Sequence, residues 1–434
     1  MKVVVALALL LALAPARDAH ANGRAPGSRT ITFKRGQETH IVAGMTFGLL
    51  LSEDNGQTWH WMCEDAVGYG GIYDPFYAFT KTGAVFATSF FGMKVMRDRC
   101  VFAQTPALAD KFVSTLSLGP DDSLYGGMVD LGDGKVYRSQ DDGATFPVGS
   151  MPGMLNDWWS TIEAAPSNPL RVYATGYRLQ SGQPKEFLLY RSTNGGQSFS
   201  PLPVTDFVTR ENSTLEIVGI SKTNPDLVFA RVTLEDNSIA DAIYRSTNGG
   251  LNWTRILGKR GAIAFVVRAN GALVAGTQVR GSFVSIDNGA NWFELAGAPH
   301  INCLVENSAG EVWACTQNFG VMGVPSDGFG IMKTTDLLKW SGVMKYQDIA
   351  APLPCGVGTV QKDKCDVTLW CGLCAQIGCD PKRECPNVLD PTDGAPKEHE
   401  GCCSGGSHTL PATLALVVVV GMVVRRPRRR RTPC

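Results

Sequence analysis

Ser52-Glu53-Asp54-Asn55-Gly56-Gln57-Thr58-Trp59 decides the fold, because the chain repeats its frame. The frame is a small hydroxyl residue, Asp or Asn two positions on, Gly two further, and an aromatic seven from the start. It returns as Ser139, Asp141, Gly143, Thr145 and Phe146; as Ser192, Asn194, Gly196, Ser198 and Phe199; as Ser246, Asn248, Gly250, Asn252 and Trp253; and as Ser285, Asp287, Gly289, Asn291 and Trp292. Repetition at intervals of a few tens of residues marks a solenoid or a propeller. Each phrase follows an apolar run such as Phe187-Leu188-Leu189-Tyr190 and is itself rich in turn formers. The Asp or Asn side chain accepts backbone N–H groups inside the turn, Gly permits a positive φ, and the closing Trp or Phe buries apolar area beneath the hairpin.

The first interval is longer than the others and hides a unit. Val95-Met96-Arg97-Asp98, after Ala84-Val85-Phe86-Ala87-Thr88, reads as a repeat whose turn has decayed. Another unit ends in Met332-Lys333-Thr334-Thr335-Asp336 and Trp340, with the glycine lost. An apolar, apolar, small triplet precedes each turn: Val42-Ala43-Gly44, Val85-Phe86-Ala87, Leu124-Tyr125-Gly126, Val172-Tyr173-Ala174, Val228-Phe229-Ala230, Leu273-Val274-Ala275 and Val312-Trp313-Ala314. The triplets read as inner strands. The expected fold is all-β, a seven-bladed β-propeller over residues 22–350, with six blades and one long insertion as the competing count.

These turns resemble the Asp-box, or BNR, repeats of the sialidase and sortilin-like propeller superfamily. The resemblance implies a β-propeller with the Asp-box at the blade periphery, remote from any site, and leaves the chemistry open. Sialidases also carry an Arg-Ile-Pro-like phrase near the start, and the nearest segment here, Phe33-Lys34-Arg35-Gly36, lacks the isoleucine and proline.

The ends predict export. Residues 1–21 read as a signal peptide: Lys2, a Val/Ala/Leu run, Pro15 and Ala19-His20-Ala21. Leu410 to Val424 is apolar and is followed by six arginines between Arg425 and Arg431, which reads as a membrane helix (410–424) with a basic cytoplasmic tail (425–434). The rival reading, a buried strand with a nucleic-acid-binding tail, conflicts with the signal peptide. Gly401-Cys402-Cys403-Ser404-Gly405-Gly406, the apolar run and the arginine block together resemble a bacterial, myxobacterial-type C-terminal surface-sorting signal. That resemblance implies a sorting protease acting near Cys402 or Cys403 and display at the cell surface, anchored or processed. The whole chain is neutral, but with Lys2, Arg17, Asp18 and the six tail arginines set aside the remainder carries about −7, which argues against a nucleic-acid partner.

Cysteine usage agrees with an oxidising compartment. Cys303 and Cys315 flank a hairpin and are expected to pair, and Cys63 and Cys100 to staple blade one to blade two. Cys355, Cys365, Cys371, Cys374, Cys379 and Cys385 crowd into a segment, 351–386, with too little apolar material for a core, and are expected to cross-link it. A zinc knuckle on Cys371-x-x-Cys374 lacks a second Cys-x-x-Cys, so neither metal nor cofactor is expected. Residues 387–409 read as a linker with the sorting motif.

Function is less legible. A propeller hydrolase would use carboxyls on loops near the axis, and Asp74, Asp157 and Glu163 are the candidates. Glu163 in Thr161-Ile162-Glu163 and Glu216 in Thr214-Leu215-Glu216 look equivalent, which favours a structural role. Tyr73, Tyr77, Trp158 and Trp159 are candidate binding aromatics, with core packing as their alternative. The leading expectation is a monomeric, surface-displayed module for an extracellular glycan or protein ligand; the alternative is a secreted glycoside hydrolase. Thr30-Ile31-Thr32-Phe33 is expected to close the ring as the outer strand of the last blade, beside the strands at Val312 and Ile331.

Overall fold

A computed structural model describes residues 24–71, 73–129, 134–147, 156–208, 210–234, 240–279, 281–321 and 323–380. The expected signal peptide, Cys385, the linker, Cys402, Cys403, the membrane helix and the basic tail lie outside the described residues. Among the described residues no helix is long and apolar enough to cross a membrane.

The chain forms a seven-bladed β-propeller, so the count of seven holds over the count of six. The blades begin with the strands Ser28–Phe33, Tyr77–Phe79, Phe112–Leu118, Asp157–Ala165, Leu215–Ile220, Ala262–Val267 and Cys303–Glu306. Each of these packs against its counterpart in the next blade, and the last against the first, so they line the axis. The apolar, apolar, small triplets form the second strand of each blade and not the innermost. Their middle residues point between blades: a methyl group at Gly143 would lie 2.5 Å from the ring of Phe86, one at Gly196 would lie 2.9 Å from Tyr125, and one at Gly56 would lie 3.2 Å from Trp313. In each case the ring belongs to the preceding blade, and the turn glycine gives it room.

The five turns share one geometry. Ser52 Oγ donates to Asp54 Oδ1 at 2.8 Å and accepts from Gly56 N at 2.9 Å, while Asp54 Oδ1 accepts from Thr58 N at 2.9 Å. Gly143, Gly196, Gly250 and Gly289 each donate to the corresponding serine Oγ at 2.8 Å. Trp59, Phe146, Phe199 and Trp253 are buried beneath their hairpins, and Trp292 is half-buried. In blade two Asp98 still accepts from Cys100 N and Val101 N, and in blade seven Asp336 from Lys339 N, so both decayed turns keep the carboxylate.

The first strand does not complete the last blade. Ser28–Phe33 pairs antiparallel with Ile41–Met45 and is the innermost strand of blade one, whereas blade seven takes all four of its strands from 303–344. The strands of blade one from 28–62 and those of every other blade are contiguous in sequence, and closure comes from the C-terminal side. Ala351–Pro352 adds to the outer edge of blade one, parallel to His60 and Trp61. Leu353 N then donates to Trp61 O at 2.7 Å, and the buried Gln361 Nε2 to the same carbonyl at 2.8 Å. A helical stretch, Gln361–Leu369 then Trp370–Ile377, comes next and sinks Trp370, Leu373 and Ile377 into the core of blade one. Near the axis Ser28 Oγ reaches Gly330 O at 2.8 Å and Tyr346 Oη at 2.9 Å.

The disulfides accompany this strap. Cys303–Cys315 forms as expected, across paired strands. Cys63 does not bond Cys100: Cys63 pairs with Cys365 and Cys100 with Cys355, because the C-terminal segment lies across both outer edges. The cysteine-rich segment is therefore not cross-linked only to itself, although Cys374–Cys379 is internal to it. It borrows blade one's core in place of one of its own. Cys371 is also disulfide-bonded, so both cysteines of the Cys-x-x-Cys are in disulfides.

The turn carboxylates give the ring a predictable acid response. Bonds from Thr145 hold Asp141 at a pKa of about 2, and bonds from Asn291 hold Asp287 at about 2. Depressed folded values stabilise the protein above the unfolded value of about 3.9, and that contribution is lost as pH falls from about 4 through 2. Asn194 and Asn248 make the same backbone bonds without titrating. The triple variant Asp54→Asn, Asp141→Asn, Asp287→Asn should therefore fold at pH 7 and show a flatter melting temperature between pH 4 and 2 than the wild type.

Candidate functional site

The two ends of the ring differ. The repeated turns occupy the end where the innermost strands finish. At the opposite end the innermost strands begin, and the loops there gather aromatic rings across blades two, three and four.

Tyr73, on the loop entering blade two, has its ring centroid 4.6 Å from that of Phe90 and 6.1 Å from that of Phe112. Phe90 lies 4.7 Å from Phe112, Phe112 lies 6.2 Å from Trp158, and Trp158 stacks on Tyr177 at 6.0 Å with planes 3° apart. Lys185 Nζ caps the row, 4.1 Å from the Tyr177 centroid. The result is a continuous aromatic ledge. Phe90 in this row is 48% exposed, and its neighbour Phe91 at the hairpin tip is 69% exposed. The Tyr73 hydroxyl bonds Thr88 Oγ1 at 2.5 Å and Val113 O at 3.3 Å, which fixes the ring, and burial pushes its pKa up to about 12.

Of the four aromatic candidates, the structure brings Tyr73 and Trp158 to this ledge. Tyr77 and Trp159 are buried, as strand alternation requires: Trp158 and Trp159 are neighbours on one strand and face opposite ways. Phe90, Phe91, Phe112 and Tyr177 escaped the sequence reading. One signal was available, because Ser89-Phe90-Phe91-Gly92 puts two consecutive phenylalanines at a hairpin tip, where polar residues are usual.

The carboxyl candidates do not converge. Asp74 is paired with Arg24 at 2.8 Å and with Arg29 at 3.4 Å. Asp157 is fully buried and held in a two-point bond by Arg178, at 2.6 and 2.9 Å. Glu163 lies six residues further along the same strand, about 20 Å away at the usual rise, against the roughly 5–9.5 Å that a glycosidase pair spans. The apparent equivalence of Glu163 and Glu216 also fails. Glu163 stands opposite Tyr173, in the middle of its triplet, whereas Glu216 stands opposite Arg231, beyond its own triplet, and is ion-paired with it at 2.5 Å. A bulge in each strand shifts the register, so matching letters in sequence are different rungs. Glu163 instead borders a cavity along the axis, and burial pushes its carboxyl up to about 7.

No protein-family profile and no curated protein sequence matches the chain. Among solved structures it is similar to the extracellular domain of BT4673 from B. thetaiotaomicron, described as a one component system, at 14% identity and a TM-score of 0.50, covering 71% of this chain and 38% of that one. It is also similar to an ancestral GH74 enzyme, at 14% identity and a TM-score of 0.49, over 76% of this chain and 55% of that one. YCF48 from Cyanidioschyzon merolae aligns at 11% identity and a TM-score of 0.43, over 67% of this chain and 93% of that one. At such identities the likeness concerns the β-propeller fold alone, and the chain spans little more than half, or less, of the first two.

Asp157 and Arg178 should behave as a structural pair. Removing the guanidinium takes the paired charge from a buried carboxylate, so Arg178→Ala should lower stability by about 3–5 kcal/mol in denaturant unfolding; a change under about 1 kcal/mol would show that the pair is not buried as described.

Proposed function

We propose that this protein is an exported β-propeller of the Asp-box repeat type, displayed at the cell surface, that recognises an extended glycan or protein ligand along the aromatic ledge of blades two to four. The observation that carries the reading is the unbroken run of five rings over three blades, with Phe90 and Phe91 turned to solvent. Exposed, rigidly held aromatics offer large contact area at small entropic cost, as binding surfaces require. Every cysteine among the described residues is disulfide-bonded, which supports export. Surface display rests on the sorting-type C-terminus.

A glycoside hydrolase is the weaker reading. Asp74 and Asp157 are engaged by arginines, and Glu163 lies at the far end of the axis from the ledge.

A glycan array and a protein-ligand screen, run beside a hydrolysis assay on the full chain, test this directly. Binding without turnover is expected, and Trp158→Ala and Phe90→Ala should each weaken it by at least about 2 kcal/mol while the protein stays folded. Turnover of a glycan, or binding untouched by both variants, would refute the ledge as the working surface.

A further inference from the structure

The axial cavity, about 470 Å³, lies toward the turn-bearing end of the ring, away from the ledge, so a ligand held there is independent of recognition at the ledge. Its walls are mixed: Ile31, Phe33, Phe79, Leu116 and Val305 supply an apolar part, and Arg35, Glu38, Glu163 and Glu306 supply charge. Glu163 interrupts the apolar part. The ladder position it occupies, opposite the middle residue of the triplet, is held in the other six blades by Ile31, Ala78, Ser117, Gly219, Val266 and Val305. One blade of seven thus places an acid where the rest place small or apolar groups.

The other charged groups of the cavity are compensated. Arg35 donates to Gly119 O at 2.5 Å and faces Asp122 at 3.4 Å. Glu38 accepts from Ser308 N at 2.7 Å and from its hydroxyl at 2.5 Å. Glu306 is held by Lys222 at 2.7 Å, by Arg268 at 3.0 Å and by Ala269 N at 2.6 Å. The phenols of Tyr77, in the wall, and Tyr173, across the strand from Glu163, have raised pKa values through burial and stay neutral at physiological pH. Glu163 has no hydrogen bond or ion pair among the described residues. A half-buried carboxylate without a partner is ready to meet a cation.

We propose that the axial cavity is a binding site for a small alkylammonium compound, with the Glu163 carboxylate as counter-ion and the side chains of Ile31, Phe33, Phe79, Leu116 and Val305 taking the alkyl chain. A metal ion fits poorly: calcium needs six to eight oxygen ligands, and no group of three His, Cys, Asp or Glu among the described residues could hold a metal. One uncompensated charge beside apolar side chains suits an amphipathic small molecule, and the rings of Phe33 and Phe79 favour a cation further. The ligand's nitrogen keeps its proton across the range in which Glu163 titrates, so Glu163 alone sets the pH dependence.

Calorimetric titration of the full chain with n-hexylammonium chloride tests the site, with 1-hexanol as the uncharged comparison. The amine should bind about tenfold more tightly at pH 8 than at pH 6, as Glu163 loses its proton through about 7. Glu163→Gln should weaken amine binding at least tenfold at pH 8 and remove the pH dependence, while its melting temperature stays equal to or above that of the wild type, since it deletes a half-buried charge without a partner. Ser117→Phe, which narrows the cavity and leaves the carboxyl in place, should also lose binding. No binding by the wild type, equal binding of 1-hexanol, or unchanged affinity in Glu163→Gln would overturn the proposal.

Discussion

Closure is the constraint on which this ring depends. Seven sheets meet their neighbours mainly through side chains, and the joint between blade one and blade seven is the one that no direct connection between consecutive blades spans. The parallel pairing of Ala351–Pro352 with His60 and Trp61 crosses that seam, and the Cys63–Cys365 and Cys100–Cys355 bonds lock it. The separation of 302 residues between Cys63 and Cys365 makes the first bond a strong restraint on the unfolded chain, worth about 6 kcal/mol on a chain-entropy account. Trp370 against Trp61, at 5.6 Å, adds apolar burial on the same edge. Decay of the second turn fits this arrangement: Cys100 sits within it, and its bond to Cys355 takes over the anchoring that a buried aromatic supplies elsewhere.

Across the same seam, at Gly56 against Trp313, and between blades two, three and four, the repeated phrase adds to the joining. Its glycine adopts positive φ, 79° at Gly143 and 84° at Gly196, and leaves open the space into which the preceding blade's aromatic residue packs. Two features that look separate in sequence, the turn and the apolar triplet, are halves of one joint. Tyr125 makes the link explicit, with its hydroxyl donating to Gly195 O at 3.2 Å while its ring lies on Gly196. The opposite end of the ring presents the aromatic ledge.

Legibility in the letters tracked physical locality. The turn bonds of Ser52, Asp54 and Gly56, the blade count, the Cys303–Cys315 bond and the buried turn aromatics were legible because each is settled within about a dozen residues. The ring closure was not, since the alternation of Thr30 to Phe33 fits an edge strand of blade seven as well as an inner strand of blade one. The partners of Cys63 and Cys100 depended on where a segment some 250 to 300 residues away would lie. The site was legible in part: Tyr73 and Trp158 stood out as residue types, but Trp159 differs from Trp158 only in strand parity, and Glu163 differs from Glu216 only through bulges that shift the register.

Mass-spectrometric mapping of the disulfides in the unreduced, proteolysed full chain tests the closure most directly. The account predicts linked peptides joining Cys63 to Cys365 and Cys100 to Cys355. A peptide joining Cys63 to Cys100, with Cys355 and Cys365 bonded to each other or within 371–385, would contradict it.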